Sequence, residues 1–165
     1  MEPMSDLNRL LESLRIICEA KHEFSIKWKK PDLKSELGEY FENDFTKDYF
    51  AKKGLKFETE NDLLSFLNSG RLVAVPKREL ISDFENLTVS WPAFASEMGD
   101  PEFGAGYRKS FESLHKAMRT GNAVFPAPIL IRFRDGQYYG FAGNRRTNLA
   151  WRYKIPVTFW LVTQP

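Results

Sequence analysis

The run Gly143-Asn144-Arg145-Arg146 gathers the residue types in this chain best suited to chemistry. It follows an aromatic, strand-forming stretch and precedes a helical one, so the glycine falls where a strand would turn into a helix. Without a Cβ, glycine lets the backbone turn sharply and lets a ligand come close. The N–H groups that open the helix then point outward, where the helix dipole favours an anion. Two arginines in that first turn run against the field, because acids are the favoured residues there. A phosphate gripped by both guanidinium forks would resolve the conflict. Acids elsewhere in the chain, paired with Arg145 and Arg146 on the surface, would resolve it equally well, and spacing alone leaves both readings open.

The elements that must position this turn are the most regular part of the chain. Residues 128–133 (PILIRF) read as a strand, Asp135-Gly136 as a tight hairpin turn and residues 137–141 (QYYGF) as the return strand. Residues 142–144 turn the chain into a helix over 145–153, and residues 156–162 close the pattern as a further strand. Upstream, residues 107–119 form a helix with Phe111, Leu114 and Met118 on one side, and residues 71–75 a strand stopped by Pro76. Residues 77–84 suit a short helix. Residues 88–106 carry Pro92, Gly99, Pro101, Gly104 and Gly106 and read as a long irregular loop. Its Trp91, Phe94 and Phe103 fit a lid over a base, a partner-binding tip or simple core anchors.

Taken in order, these stretches resemble the core of the ParB/sulfiredoxin superfamily. The resemblance rests on residues 112–121 (ESLHKAMRTG), Ala127-Pro128-Ile129-Leu130-Ile131, Asp135-Gly136, residues 140–150 (GFAGNRRTNLA) and Ile155-Pro156-Val157-Thr158-Phe159. It covers about a third of the chain firmly. It implies an α/β (α+β) class: a compact mixed-sheet domain over residues 71–165, with residues 1–70 as a helical N-terminal extension. It also implies nucleotide phosphates at the glycine–arginine turn, with ATP or CTP as the cofactor, with or without Mg²⁺.

The resemblance divides the functions open to the chain. ParB proteins share the double arginine and bind and hydrolyse CTP, but usually carry Glu where Asn144 stands. No DNA-reading helix-turn-helix follows here, so centromere recognition is not expected. Sulfiredoxins carry a catalytic Cys and His at the positions of Asn144 and Arg145. An amide is no nucleophile, so sulfinic-acid reduction is not expected either. Free serine kinases of this fold carry an Asp where Ala142 stands. Stand-alone bacterial plasmid and phage members act as nucleotidases or DNA nucleases, and this chain resembles that group most. On that basis Asn144 and Arg145 hold the catalytic positions, Asn144 orienting a phosphate oxygen or a water. Gly143, Asn144, Arg145 and Arg146 hold phosphate, with Ser113, Lys109 and Lys116 on the preceding helix as further nucleotide contacts. A general base would have to be an acid elsewhere, Glu79, Asp83, Glu85 or Glu112, each of which also suits a solvated surface. The expected function is nucleotide binding with phosphohydrolase (ATPase) or DNA nuclease activity. The alternatives are a non-catalytic, nucleotide-gated regulator of another protein and a nucleic-acid-binding module.

The first 70 residues read as helices. Ser5 caps a stripe of Leu7, Leu10, Leu11, Leu14, Ile17 and Cys18. A second helix spans residues 32–45, a third residues 46–53 before Gly54, and a fourth residues 60–68 behind a Thr59 cap. Such stripes need a surface, either the α/β core or a second subunit, which leaves a homodimer open.

Composition sets the outer bounds. The 165 residues carry 24 basic and 22 acidic side chains, a net charge of +2 that hides an asymmetry. From residue 121 onward six basic residues face one acid, Asp135, which suggests a local anion site rather than a polyanion-coating surface. One cysteine, Cys18, excludes an internal disulfide, and with only His22 and His115 a cysteine or histidine metal site is not expected. Apolar runs are too short for a membrane span, and residues 1–6 do not begin a secretory leader, so a cytoplasmic protein is expected.

Overall fold

The computed structural model describes residues 8–12, 26–76, 80, 84–85, 124–152 and 155–165. The chain is of the α+β class and divides into two compact units. One comprises Met1–Lys27, Thr88–Phe125 and Arg145–Pro156, the other Trp28–Leu87, Pro126–Asn144 and Val157–Pro165.

Strand β1 (Lys27–Lys29) leads to a 3-10 turn (Lys34–Glu36) and the helices α1 (Gly38–Phe41), α2 (Asp44–Lys52) and α3 (Glu60–Asn68). The strands β2 (Arg71–Ala74) and β3 (Phe84–Glu85) come next, then β4 (Val124–Pro126), β5 (Ile129–Arg132) and β6 (Tyr138–Ala142). Helix α4 (Asn144–Arg152) and strand β7 (Thr158–Thr163) complete the order. Among the described residues, five strands make one mixed sheet in the order β2-β7-β5-β6-β3, and β1 pairs with β4 in a separate ribbon. β2–β7 and β5–β6 are antiparallel, while β5–β7 and β3–β6 are parallel.

Strand alternation decides which face is buried against the helices. Ile129, Ile131 and Phe133 share one core with Tyr139, Phe141, Trp160 and Val162. Leu33, Leu37, Tyr40, Phe50, Leu63 and Leu67, from the turn and helices, belong to the same core. The helical stripes within residues 31–70 therefore cover the sheet rather than standing apart from it. The centre is aromatic: Phe50 lies edge-on to Tyr139 (5.2 Å between centroids) and Phe133 (5.5 Å), and Tyr49 stacks on Tyr139 at 5.0 Å. Three hydroxyls find partners there: Tyr139 Oη and Thr46 Oγ1 lie 2.8 Å apart, and Tyr40 Oη accepts from Phe57 N–H at 3.1 Å.

Several local expectations need correction. The single helix expected over residues 32–45 is a 3-10 turn followed by the four-residue α1, which ends at Phe41 with Glu42 as its C-cap. Asn43 then caps a new helix, accepting from Thr46 N–H, so α2 opens two residues before the expected start. The Thr59 cap and α3 are as expected, with Thr59 Oγ1 accepting from Asp62 N–H. The Asp135-Gly136 hairpin is present, but its loop has three residues. Phe133 N–H donates to Gln137 C=O, Gly136 N–H to Phe133 C=O, and Gly136 takes the left-handed position at φ +86°. Strands β1, β3 and β4 were not expected. The helices expected at 107–119 and beyond residue 12 of the first stripe, Cys18, His22, His115 and the loop 88–106 lie outside the described residues.

Two side chains tie distant parts of the second unit together. Lys53 Nζ, at the end of α2, reaches Asp135 at the hairpin tip and Gln137 Oε1 (2.6 Å), and lies over the rings of Tyr49 and Phe133. The Lys53 hydrogen bond, then that from Gln137 N–H, holds the Asp135 carboxyl below its ordinary value near 3.8. A carboxylate that titrates lower folded than unfolded contributes stability fully above the unfolded value and loses it as pH falls through the folded one. Asp135→Asn should therefore flatten the acid limb of the urea midpoint against pH below roughly pH 4, the range where a free carboxyl titrates. An acid limb identical to wild type would show that Lys53 does not hold this carboxylate in solution.

The second tie is Trp160 on β7, whose Nε1–H donates to Leu67 C=O at 2.8 Å. Gly70, between α3 and β2, lies against its indole: a Cβ there would stand 2.5 Å from Nε1 and 2.8 Å from Cε2. Gly→Ala gains about 0.4–1 kcal/mol from the unfolded chain where the site has room. Here the ring is pinned by its hydrogen bond, so overpacking at about 1–3 kcal/mol should win. Gly70→Ala is expected to lower the urea midpoint by net destabilisation. A raised midpoint would mean that the indole moves aside.

In the first unit, residues 8–12 are helical. Thr147, Ala150 and Ile155 are buried, and Ile155 N–H donates to Ala150 C=O at 2.8 Å, closing the chain beyond α4.

Candidate functional site

The approach to the turn is built by β6. Its last residues, Phe141 and Ala142, are both buried in the core. The register against β5 slips here, from Leu130 opposite Gly140 to Ile129 opposite Ala142. The extra residue makes a bulge, a device that bends a strand and re-aims the chain beyond it. Gly143 comes next with φ +81°, in the left-handed region that side chains with a Cβ rarely adopt. Helix α4 begins at once with Asn144. Strand, glycine and helix start thus occur in the expected order, with the helix opening one residue before the expected position.

No acid lies in the first turn of α4. Asn144 and Arg146 are half-buried and Thr147 is fully buried. Gly143, Asn144, Arg146 and Thr147 each make an interaction within the chain, so Arg146 is not a bare surface cation. Chemically, the turn offers backbone donors at a helix start, a neutral amide and two permanent positive charges. That set can bind and polarise a phosphate, and its amide cannot serve as a general base.

Comparison with known proteins adds no relative. No family model, curated protein or solved structure matches this chain.

Of the residues expected at the site, Gly143, Asn144, Arg145 and Arg146 are consecutive at the end of β6 and the start of α4. Ser113, Lys109, Lys116, Glu79, Asp83 and Glu112 lie outside the described residues. Glu85 sits in β3, paired in register with Tyr139. Among the described residues, no three His, Cys, Asp or Glu side chains cluster as metal ligands, and no helix is long and apolar enough to cross a membrane.

Proposed function

We propose that this chain binds a nucleoside triphosphate, ATP or CTP, through its phosphates at the turn formed by Gly143, Asn144, Arg145 and Arg146. One observation carries the reading: a left-handed glycine joins a buried strand to a helix whose first turn holds two arginines and no acid. Backbone N–H groups and guanidinium forks in one turn suit phosphate oxygens, which accept hydrogen bonds and carry charge. The likeness of the turn to that of ParB-type and sulfiredoxin-type proteins supports the same reading and a cytoplasmic setting, where such nucleotides are supplied.

Binding has two possible outcomes. In the first, Arg145 stabilises charge on the transferring phosphoryl group and Asn144 orients a water, giving phosphohydrolase or nuclease activity with a base from another segment. In the second, nucleotide only switches the affinity for a regulated protein or for DNA. Asn144 favours the second, since an amide neither takes a proton nor supplies the carboxylate that commonly holds Mg²⁺.

Calorimetry of the full chain against ATP, CTP and GTP, with and without Mg²⁺, tests the reading, with phosphate release followed in parallel. Saturable binding of one triphosphate, weakened on losing its γ-phosphate, is the expected result. Absence of binding to all three would remove the proposal.

A further inference from the structure

We propose that the open part of the sheet face carrying Arg71, Arg132 and Tyr138 binds single-stranded nucleic acid. Register fixes which residues share that face. Ile131, Tyr139 and Val162 belong to the core beneath the helices, so alternation sends Arg132, Tyr138, Leu161 and Thr163 to the opposite side. Arg132 is paired with Thr163 on one side and Tyr138 on the other, and Arg71 with Leu161, which brings Arg71 onto the same face. Leu130 and Phe159 on this face are buried and Leu161 and Tyr138 half-buried, while Arg71, Arg132 and Thr163 are exposed. The exposed residues lie at the end of the sheet away from Gly143, because β6 runs from Tyr138 to Ala142 toward that turn. The basic excess beyond residue 121 therefore divides between two places, with Arg132 one strand length, about 14 Å, from the candidate turn.

The patch is cationic and its charges are uncompensated. Among the described residues neither Arg71 nor Arg132 has an ion-pair partner. Asp135, the acid at the hairpin, is engaged by Lys53, which lies over core rings on the other side of the sheet. Arg134 is not counted, since its Nε–H is held by the Pro165 carbonyl. The Arg132 guanidinium lies over the Tyr138 ring, 5.7 Å from its centre, which orders the side chain and keeps its charge. Arg71 and Arg132 stand two strands apart across the sheet and two residues apart along it, about 12 Å between backbones. Such spacing suits a ligand with repeated phosphates better than a lone anion. β7, β5 and β6 are paired on both sides, so an acidic peptide cannot add there as a strand. A membrane needs an apolar wedge, and the exposed large apolar side chains, Phe45, Leu72 and Val124, lie on α2, on the other face of β2 and on β4. A second copy would bring arginine against arginine. Phosphodiesters meet both guanidiniums, and an unpaired base stacks on a tyrosine ring or a guanidinium plane.

The test titrates fluorescein-labelled oligo(dT) and oligo(U) of ten nucleotides into the full chain at low salt. Saturable anisotropy is expected for both, because neither phosphate contact nor stacking reads the sugar. ¹⁵N amide shifts should concentrate on residues 71, 132, 138 and 161–163. Arg71→Gln and Arg132→Gln, both exposed, should together weaken binding about tenfold. Each should also lower the slope of log affinity against log salt by about 0.7, the share of one phosphate contact on a single strand. Tyr138→Leu should weaken binding about fivefold or more with the slope unchanged. Urea midpoints measured alongside confirm folding, and the exposed arginine variants carry the test if Tyr138→Leu unfolds. An unchanged salt slope in both folded arginine variants would overturn the proposal, as would shifts centred on residues 143–147. Equal binding of a duplex, or equal competition by polyglutamate of the same charge, would reduce the effect to charge attraction and overturn it too. So would no saturation up to about 1 mM.

Discussion

Truncating Phe50 to alanine is expected to destabilise the second unit by about 3–5 kcal/mol, the range for removing a buried aromatic ring from a core. Phe50 is fully buried on α2, and its ring meets Tyr40, Phe133, Tyr139 and Phe141. Three of those rings stand on or beside the β5–β6 hairpin, so the missing ring leaves a gap between helix and sheet that neither backbone can close. Edge-to-face pairs of this kind contribute about 0.5–1.5 kcal/mol beyond burial, which places the expected loss toward the upper end. Against a total stability of about 5–15 kcal/mol, that is a large fraction. Urea unfolding should show a lower midpoint, and Phe50→Leu should recover part of it. Hydrogen exchange adds the decisive reading. If α2 and the sheet share one core, amides of β5 and β6 should lose protection along with those of α2. A loss below about 1 kcal/mol, or faster exchange confined to α2, would show that these helices are a detachable extension.

The parts of this fold that the sequence makes legible are those whose cause is local. Thr59 ahead of Asp62 announces the start of α3, because the hydroxyl that caps the helix lies three residues from the amide it serves. Asp135-Gly136 announces the hairpin, since the left-handed position needs glycine, although the pairing of Phe133 with Gln137 decides the loop length. Gly143 is legible for the same reason. Features set at a distance escape. β1 and β4 have three residues each, too few for alternation to register, and they exist because they pair with one another. The break near residue 42 hides behind Leu33, Leu37 and Tyr40, whose spacing suits one helix as well as a 3-10 turn and a short α1. Lys53 and Asp135 stand 82 positions apart, and nothing near either names the other. The candidate turn is legible because one glycine and the first residues of one helix create it. The segments expected to complete it lie far away in the chain.

Replacing both Arg145 and Arg146 with alanine is expected to weaken triphosphate binding at least tenfold, about 1.4 kcal/mol. A hydrogen bond to a charged group contributes about 1.5–3 kcal/mol, so two guanidinium forks that both engage phosphate would raise the loss to roughly a hundredfold or more. The lower figure applies where water screens one of them. A charge-keeping variant separates fork from field. Arg145→Lys with Arg146→Lys retains two cations at the helix start but loses the planar bidentate geometry, so its affinity should fall between wild type and the alanine pair. Backbone and side chain separate in the same way. Gly143→Ala forces a Cβ onto a residue at φ +81°, at a cost of about 1–2 kcal/mol, and is expected to weaken triphosphate binding without touching either arginine. Arg146 is half-buried and already engages a partner in the chain, so its loss carries a structural component as well. The urea midpoint must therefore be measured beside the calorimetry, and the binding loss read only where the variant is folded. Affinity unchanged in a folded alanine pair would mean that the two arginines serve the chain itself and that phosphate has no place at this helix start.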